Sequence, residues 1–163
     1  MKKSFLTIIA IVGIIIIFQT CKKEKDEEGV DKQLFNETTA GGFTYYKGGT
    51  LLPGISPSPH GSFKLRFNAT ALSVIESDGE LATGNSFPTG SILVKEVHSG
   101  NTPSLYAVMK KDPSNENAGS DWLWAEYNTD GTVVFSTGKK GEGCIGCHSG
   151  TPNRDLSRTF DLH

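Results

Sequence analysis

Cysteine is scarce in this chain: three among 163 residues, at positions 21, 144 and 147. A fold stapled by several disulfides is thereby excluded, although such staples are common in exported domains. Methionine is rarer still, at Met1 and Met109 only, so no thioether follows the cysteine pair near the end. Basic residues do not dominate: 16 Lys and Arg stand against 18 Asp and Glu, with a formal net charge of -2. No basic stripe with interleaved aromatics occurs, which excludes nucleic acid as an expected partner. Internal repeats are absent. The one long apolar run, from Phe5 to Phe18, falls short of the about 20 residues that a comfortable membrane span needs.

That run follows Lys2 and Lys3 and leads into Phe18-Gln-Thr-Cys21, the layout of a secretory signal. A small residue directly before a cysteine resembles the lipobox of a bacterial lipoprotein. Residues 1–21 are therefore expected to be a signal peptide and Cys21 the lipidation site; a transmembrane anchor is the alternative. Residues 22–36 open on Lys-Lys-Glu-Lys-Asp-Glu-Glu, too polar to bury a core, and are expected to be a flexible charged tether. Residues 37–163 have the length of one domain. The chain is expected on the periplasmic side of a bacterial membrane or at the cell surface, touching the membrane through its lipid.

Cys144-Ile-Gly-Cys147-His148 reads as a covalent haem attachment site. Two thiols three positions apart can add to the two vinyl groups of one haem c, and the adjoining His148 can supply an axial nitrogen to the iron. If both thiols carry haem and Cys21 carries lipid, no disulfide is left to form. With no methionine downstream, the expectation is one covalent haem with iron held on one side and open on the other. Distal ligation by His60 or His98, or by Met109 sulfur, would give a six-coordinate electron carrier instead. A structural zinc site at Cys144, Cys147 and His148, completed by His60, His98 or His163, is a further alternative, disfavoured because tetrahedral zinc wants four well-spaced donors.

Period-two alternation dominates the domain and argues for strands. Phe63–Phe67, Ser91–Val97, Leu105–Lys110, Trp122–Tyr127 and Thr132–Ser136 read as strands, the last two as a hairpin through 128–131. Asn68 caps an expected short helix to Glu76. The fold class is mainly β (α+β): an antiparallel sheet with a few short helices and a C-terminal haem-attachment segment.

These pieces, Pro59-His60-Gly61, Phe63-Lys-Leu-Arg-Phe-Asn68, Phe87-Pro-Thr-Gly-Ser-Ile-Leu-Val-Lys95-Glu96, Tyr106-Ala-Val-Met-Lys-Lys-Asp-Pro113, Trp122-Leu-Trp124 and the late Cys-x-x-Cys-His followed by Asp155 and Phe160, resemble the cytochrome P-460 family, which includes the β-type cytochromes c-prime. The resemblance covers about 100 residues, from Pro59 to Phe160. It implies a β-rich homodimer with a five-coordinate haem c in each subunit. Some members oxidise hydroxylamine; others bind nitric oxide or carbon monoxide without turnover. A small nitrogen-oxide or gas ligand, and a redox partner cytochrome, are the implied partners. In the catalytic members a lysine is joined to the haem edge, and Lys95 stands at the matching position. The same members carry a carboxylate over the open iron face on the strand matching Leu105–Met109. Here no acid occurs in that stretch, and Ala107 is taken as the equivalent, which suits a small uncharged gas.

Read without the family, alternation places Lys95 with Leu93 and Val97 on one strand face. There burial would depress its pKa and raise its nucleophilicity; an exposed strand lysine is the plainer alternative. Arg154 and Arg158 are surface charges or, alternatively, partners of haem propionates.

Overall fold

The computed structural model describes residues 28–56 and 58–163; the expected signal, Cys21 and residues 22–27 of the expected tether lie outside the described residues. Six antiparallel strands run side by side in chain order: β1 (Thr44–Tyr45), β2 (Phe63–Phe67), β3 (Ile92–Ser99), β4 (Thr102–Lys111), β5 (Trp122–Asn128) and β6 (Val133–Phe135). A meander of this kind needs only short connections, because each strand pairs with its sequence neighbour. The fold is thus mainly β with a few short helices, as the alternation predicts.

Alternation divides the sheet into two buried faces. Phe63, Leu65, Phe67, Leu93, Met109, Trp122 and Trp124 point to one side, where Phe87, Leu81 and Phe160 complete a core. Ile92, Val94, Val108, Leu123, Ala125 and Tyr127 point to the other, where Leu34 covers them. Both faces being buried explains why Arg66 is only 7% exposed. Its guanidinium pairs with Glu96 at 2.7 Å and lies over the rings of Phe43 and Tyr106. The Arg66 charge, which alternation assigns to an outer face, is satisfied inside a second layer.

That second layer corrects the expected tether. Residues 28–39 form a helix, α1, with Leu34 and Asp31 buried. The Asp31 carboxylate accepts from Ser136 Oγ at 2.7 Å and from the Thr137 amide at 2.8 Å, while Tyr127 Oη donates to the Asp31 carbonyl. Lys110 Nζ pairs with Glu37 at 2.7 Å. The folded domain therefore starts at or before residue 28, not at 37. The charged composition hid two apolar residues, Val30 and Leu34, four apart on one helical face.

Smaller differences concern ends. The expected helix after Asn68 is one turn, α2 (Ala69–Leu72), with Asn68 Oδ1 accepting from the Ala71 amide as an N-cap should. It stops because Val74 and Ile75 turn into the core instead of continuing along the helix. β4 begins earlier than expected, at Thr102, since Pro103 faces His98 beside a bulge in β3.

Beyond β6 the chain folds back across the first face through α3 (Ile145–His148) and α4 (Thr159–Leu162). Asp155 ties this segment to the sheet. It accepts from Lys111 Nζ at 2.8 Å, from the Phe87 amide at 2.8 Å and from Trp122 Nε1 at 3.4 Å. Lys111 and Asp155 side chains are each 10% exposed, so removing one leaves the other charged in a poorly solvated place. Asp155→Ala is expected to cost about 3 kcal/mol in urea unfolding, and adding Lys111→Met is expected to recover most of that loss.

Candidate functional site

The back-folded segment does not close tightly onto the sheet. Between them lies a cavity of ≈ 340 Å³ with mainly apolar walls, within the range of small-molecule sites. Register fixes the sheet side. Leu65, Lys95, Ala107, Glu126 and Phe135 stand opposite one another across β2 to β6. Paired residues in neighbouring strands share a face, and all five line the cavity. The other wall carries Cys144, Cys147 and His148.

The attachment residues are placed by local structure. Gly141 has φ of +72°, and a Cβ there would come within 2.6 Å of the Trp124 ring. A glycine is required on both counts, and it lets the chain turn against the indole into α3. Cys144 precedes this helix and Cys147 lies within it, one turn on, so both reach the same cavity. Cys147 is exposed, and Cys144 is half-buried, its thiol pKa raised first by burial and then by the Glu126 and Cys147 charges.

His148 is the most constrained of the three. Its Nδ1 lies 2.7 Å from the Leu156 carbonyl, and its ring meets Trp124 edge-on with centroids 4.9 Å apart. A carbonyl only accepts, so Nδ1 carries the hydrogen and Nε2 keeps its lone pair. Burial pulls the pKa down to about 4, against a smaller upward pull from the Leu156 carbonyl, and the positive charges of Lys95, His60 and Arg158 add to the lowering. The ring is therefore neutral at pH 7, as a metal-binding imidazole must be. A carbonyl on one nitrogen and a free lone pair on the other is the usual arrangement behind a ligating histidine. Two thiols, a fixed acceptor nitrogen and an apolar cavity suit a haem attached at this motif. Among the described residues no group of three or more His, Cys, Asp or Glu is arranged to hold a metal ion.

Lys95 lies where alternation places it, in the face of Leu93. Its Nζ sits 4.2 Å from the centroid of the Phe63 ring, and it makes no ion pair among the described residues. Burial lowers its pKa from 10.5 to about 8, which leaves about a tenth of the amine neutral at pH 7.

Glu126 escaped the sequence reading. The expected acid belonged to β4, where Ala107 indeed occupies the cavity position beside Lys95. The carboxylate comes from the next strand, directly across from Ala107. Its signal was available: Trp122, Trp124 and Glu126 share parity, so an acid sits in line with two indoles on a buried face. His60 also lines the cavity, with Nε2 2.9 Å from Glu126 Oε1.

The remaining candidates separate. His98 is not among the cavity-lining residues. Met109 is a core residue whose side chain also borders the cavity. Arg154 is engaged by Glu80, Asp161 and the Leu81 carbonyl. Arg158 pairs with Asp161 at 2.9 Å and borders the cavity, as does His163, whose ring packs edge-on to Phe63.

The cost of an unpaired Lys95 is measurable. Its folded pKa lies below its unfolded value, so the penalty is complete below pH 8 and fades as pH rises to 10.5. In the haem-free protein, Lys95→Met is expected to raise stability at pH 7 by up to about 3 kcal/mol. Urea unfolding at pH 7 and pH 10 checks this: the part of the gain due to charge shrinks at the higher pH.

No curated protein matches this chain. A family model does: Cytochrome P460 matches residues 64–158, from β2 through the attachment motif to Arg158. The match spans more than half of the sequence and includes Lys95, Ala107, Glu126, Cys144, Cys147 and His148. The family implies a haem cofactor, and the two thiols, the imidazole and the apolar walls of the cavity suit one. The chain belongs to the cytochrome P460 family.

Proposed function

We propose that the protein carries one covalent haem c, attached through Cys144 and Cys147 with His148 Nε2 as the axial nitrogen, and that it oxidises a small nitrogen compound, hydroxylamine or nitric oxide. One observation carries this reading. The attachment motif and the row Lys95, Ala107, Glu126 meet across one cavity. When bound, the haem supplies an electron sink and a coordination position for the small ligand.

The chain's own residues divide the remaining tasks. Leu156 and Trp124 hold the His148 ring in one tautomer and orientation. Leu65, Leu93, Phe63 and Phe135 keep the cavity apolar and limit its water. Glu126 is the acceptor for protons leaving a bound hydroxylamine, as a general base must be within hydrogen-bond reach of its substrate. Lys95, partly neutral, would be the side chain that faces the edge of a haem held here, and a bond from its amine to that edge would need a two-electron oxidant to take up the two hydrogens lost. The small Ala107 side chain leaves room between Lys95 and Glu126. The Glu126 carboxylate favours oxidation over a purely gas-binding role, which an apolar row would have served.

Export, a lipid on Cys21, a place on the periplasmic side of a membrane or at the cell surface, and a redox partner cytochrome belong to the same proposal. A homodimer belongs to it too, supported by the two exposed valines of edge strand β6, Val133 and Val134, which are 44% and 53% exposed.

Absorption spectra of protein matured with a haem-ligation system test the proposal. The ferrous form is expected to be high-spin and to shift on adding nitric oxide or carbon monoxide. A sharp low-spin spectrum indifferent to carbon monoxide would indicate a six-coordinate electron carrier. Mass spectrometry of the haem peptide tests Lys95: the Lys95 peptide is expected to travel with the haem, and an unmodified Lys95 peptide eliminates the crosslink.

A further inference from the structure

Glu126 is not alone. Its Oε1 meets Nε2 of His60, which comes from the loop between β1 and β2. His60 lines the haem-site cavity and also a second, shallow cleft formed by Pro53, Gly54, Ser56, Ser58, Gly61 and neighbouring residues. His60 thus borders both, its side chain 15% exposed.

The loop is built to hold it there. Ser58 Oγ accepts from the His60 amide at 3.2 Å. A Cβ on Gly54 would fall 2.5 Å from the His60 carbonyl, so this part of the loop lies flat against the His60 backbone. The Leu52–Phe63 bridge closes the loop's base through two backbone hydrogen bonds, of 2.8 and 2.9 Å.

We propose that His60 is the proton outlet of the site, passing protons from Glu126 to water in the outer cleft. The proposal rests on the oxidative reading above, which requires protons to leave an apolar cavity. The balance is simple. A proton from the bound substrate goes to the Glu126 carboxylate, and the carboxylic acid passes it to the lone pair of His60 Nε2, the ring being in its Nδ1–H tautomer. The imidazolium so formed gives its Nδ1 proton to water, which leaves the Nε2–H tautomer, and a turn of the ring resets it for the next proton. No other bond changes. A single hydrogen bond also positions Glu126, so the test must separate carrying from positioning. Glutamine does so: its side-chain amide can keep the contact with Glu126, but it does not take up and release a proton.

The test compares haem-loaded wild type, His60→Gln and His60→Ala by stopped-flow absorbance with hydroxylamine, in water and in deuterium oxide. The early amplitude reports hydroxylamine affinity, and the later phase reports haem reduction. His60→Gln is expected to keep the affinity within about twofold, to slow reduction by about tenfold or more and to enlarge the solvent isotope effect. His60→Ala is expected to lose affinity as well. Wild-type reduction rates in His60→Gln would make His60 an anchor only and overturn the proposal. A parallel loss of affinity and rate in His60→Gln would show a distorted cavity and overturn it too. A wild type that binds carbon monoxide but never reacts with hydroxylamine would refute the oxidative reading, and the outlet would fall with it. A reacting wild type with an unchanged His60→Gln would refute the outlet alone.

Discussion

The bond between His148 Nδ1 and the Leu156 carbonyl is the constraint on which the site depends. It joins the attachment helix to the loop that follows it, fixes the tautomer of the ring and leaves one nitrogen free. Leu156 is held in turn because its neighbour Asp155 is bound to Lys111, Trp122 and the Phe87 amide. The site is thus referenced to the sheet through a chain of hydrogen bonds rather than through the attachment motif alone. A four-residue helix with no buried residues could not have fixed its own position.

The sheet supplies the chemistry by register. Strands paired in sequence order place one residue from each of β2 to β6 in a row, and between Leu65 and Phe135 the row facing the cavity holds one cation, one methyl group and one carboxylate. The charges of Lys95 and Glu126 are tolerated because the wall is open to a cavity on one side and touches polarisable or polar groups on the other. For Lys95 that group is the Phe63 ring, and for Glu126 it is the His60 imidazole. An apolar row would fold more stably, so the two charged groups mark function against stability.

Much of this was legible in the sequence. Cys144, Cys147 and His148 were set by their spacing, and the inward face of Lys95 by strand parity with Leu93. Glu126 obeys the same parity with Trp122 and Trp124, whereas the family resemblance points to an acid on β4 and not on β5. The cross-strand neighbours of a residue depend on loop lengths that a single sequence does not define. The Leu156 carbonyl and the His60–Glu126 contact were out of reach for a different reason. Both come from irregular loops brought together by tertiary packing, and neither has a period. Helix α1 was missed because charge counting outweighed two well-spaced apolar residues, Val30 and Leu34. Its burial depends on a sheet face that also needed covering.

A haem iron held by His148 Nε2 with its opposite side open would carry a vibrational signature. Resonance Raman spectroscopy of the ferrous, haem-loaded protein addresses it most directly, since an iron–histidine stretch is seen when histidine is the only axial ligand. Such a band is expected in the wild type and is expected to disappear in His148→Gly. Absence of the band in the wild type, or its persistence in His148→Gly, would rule out His148 as the sole axial ligand.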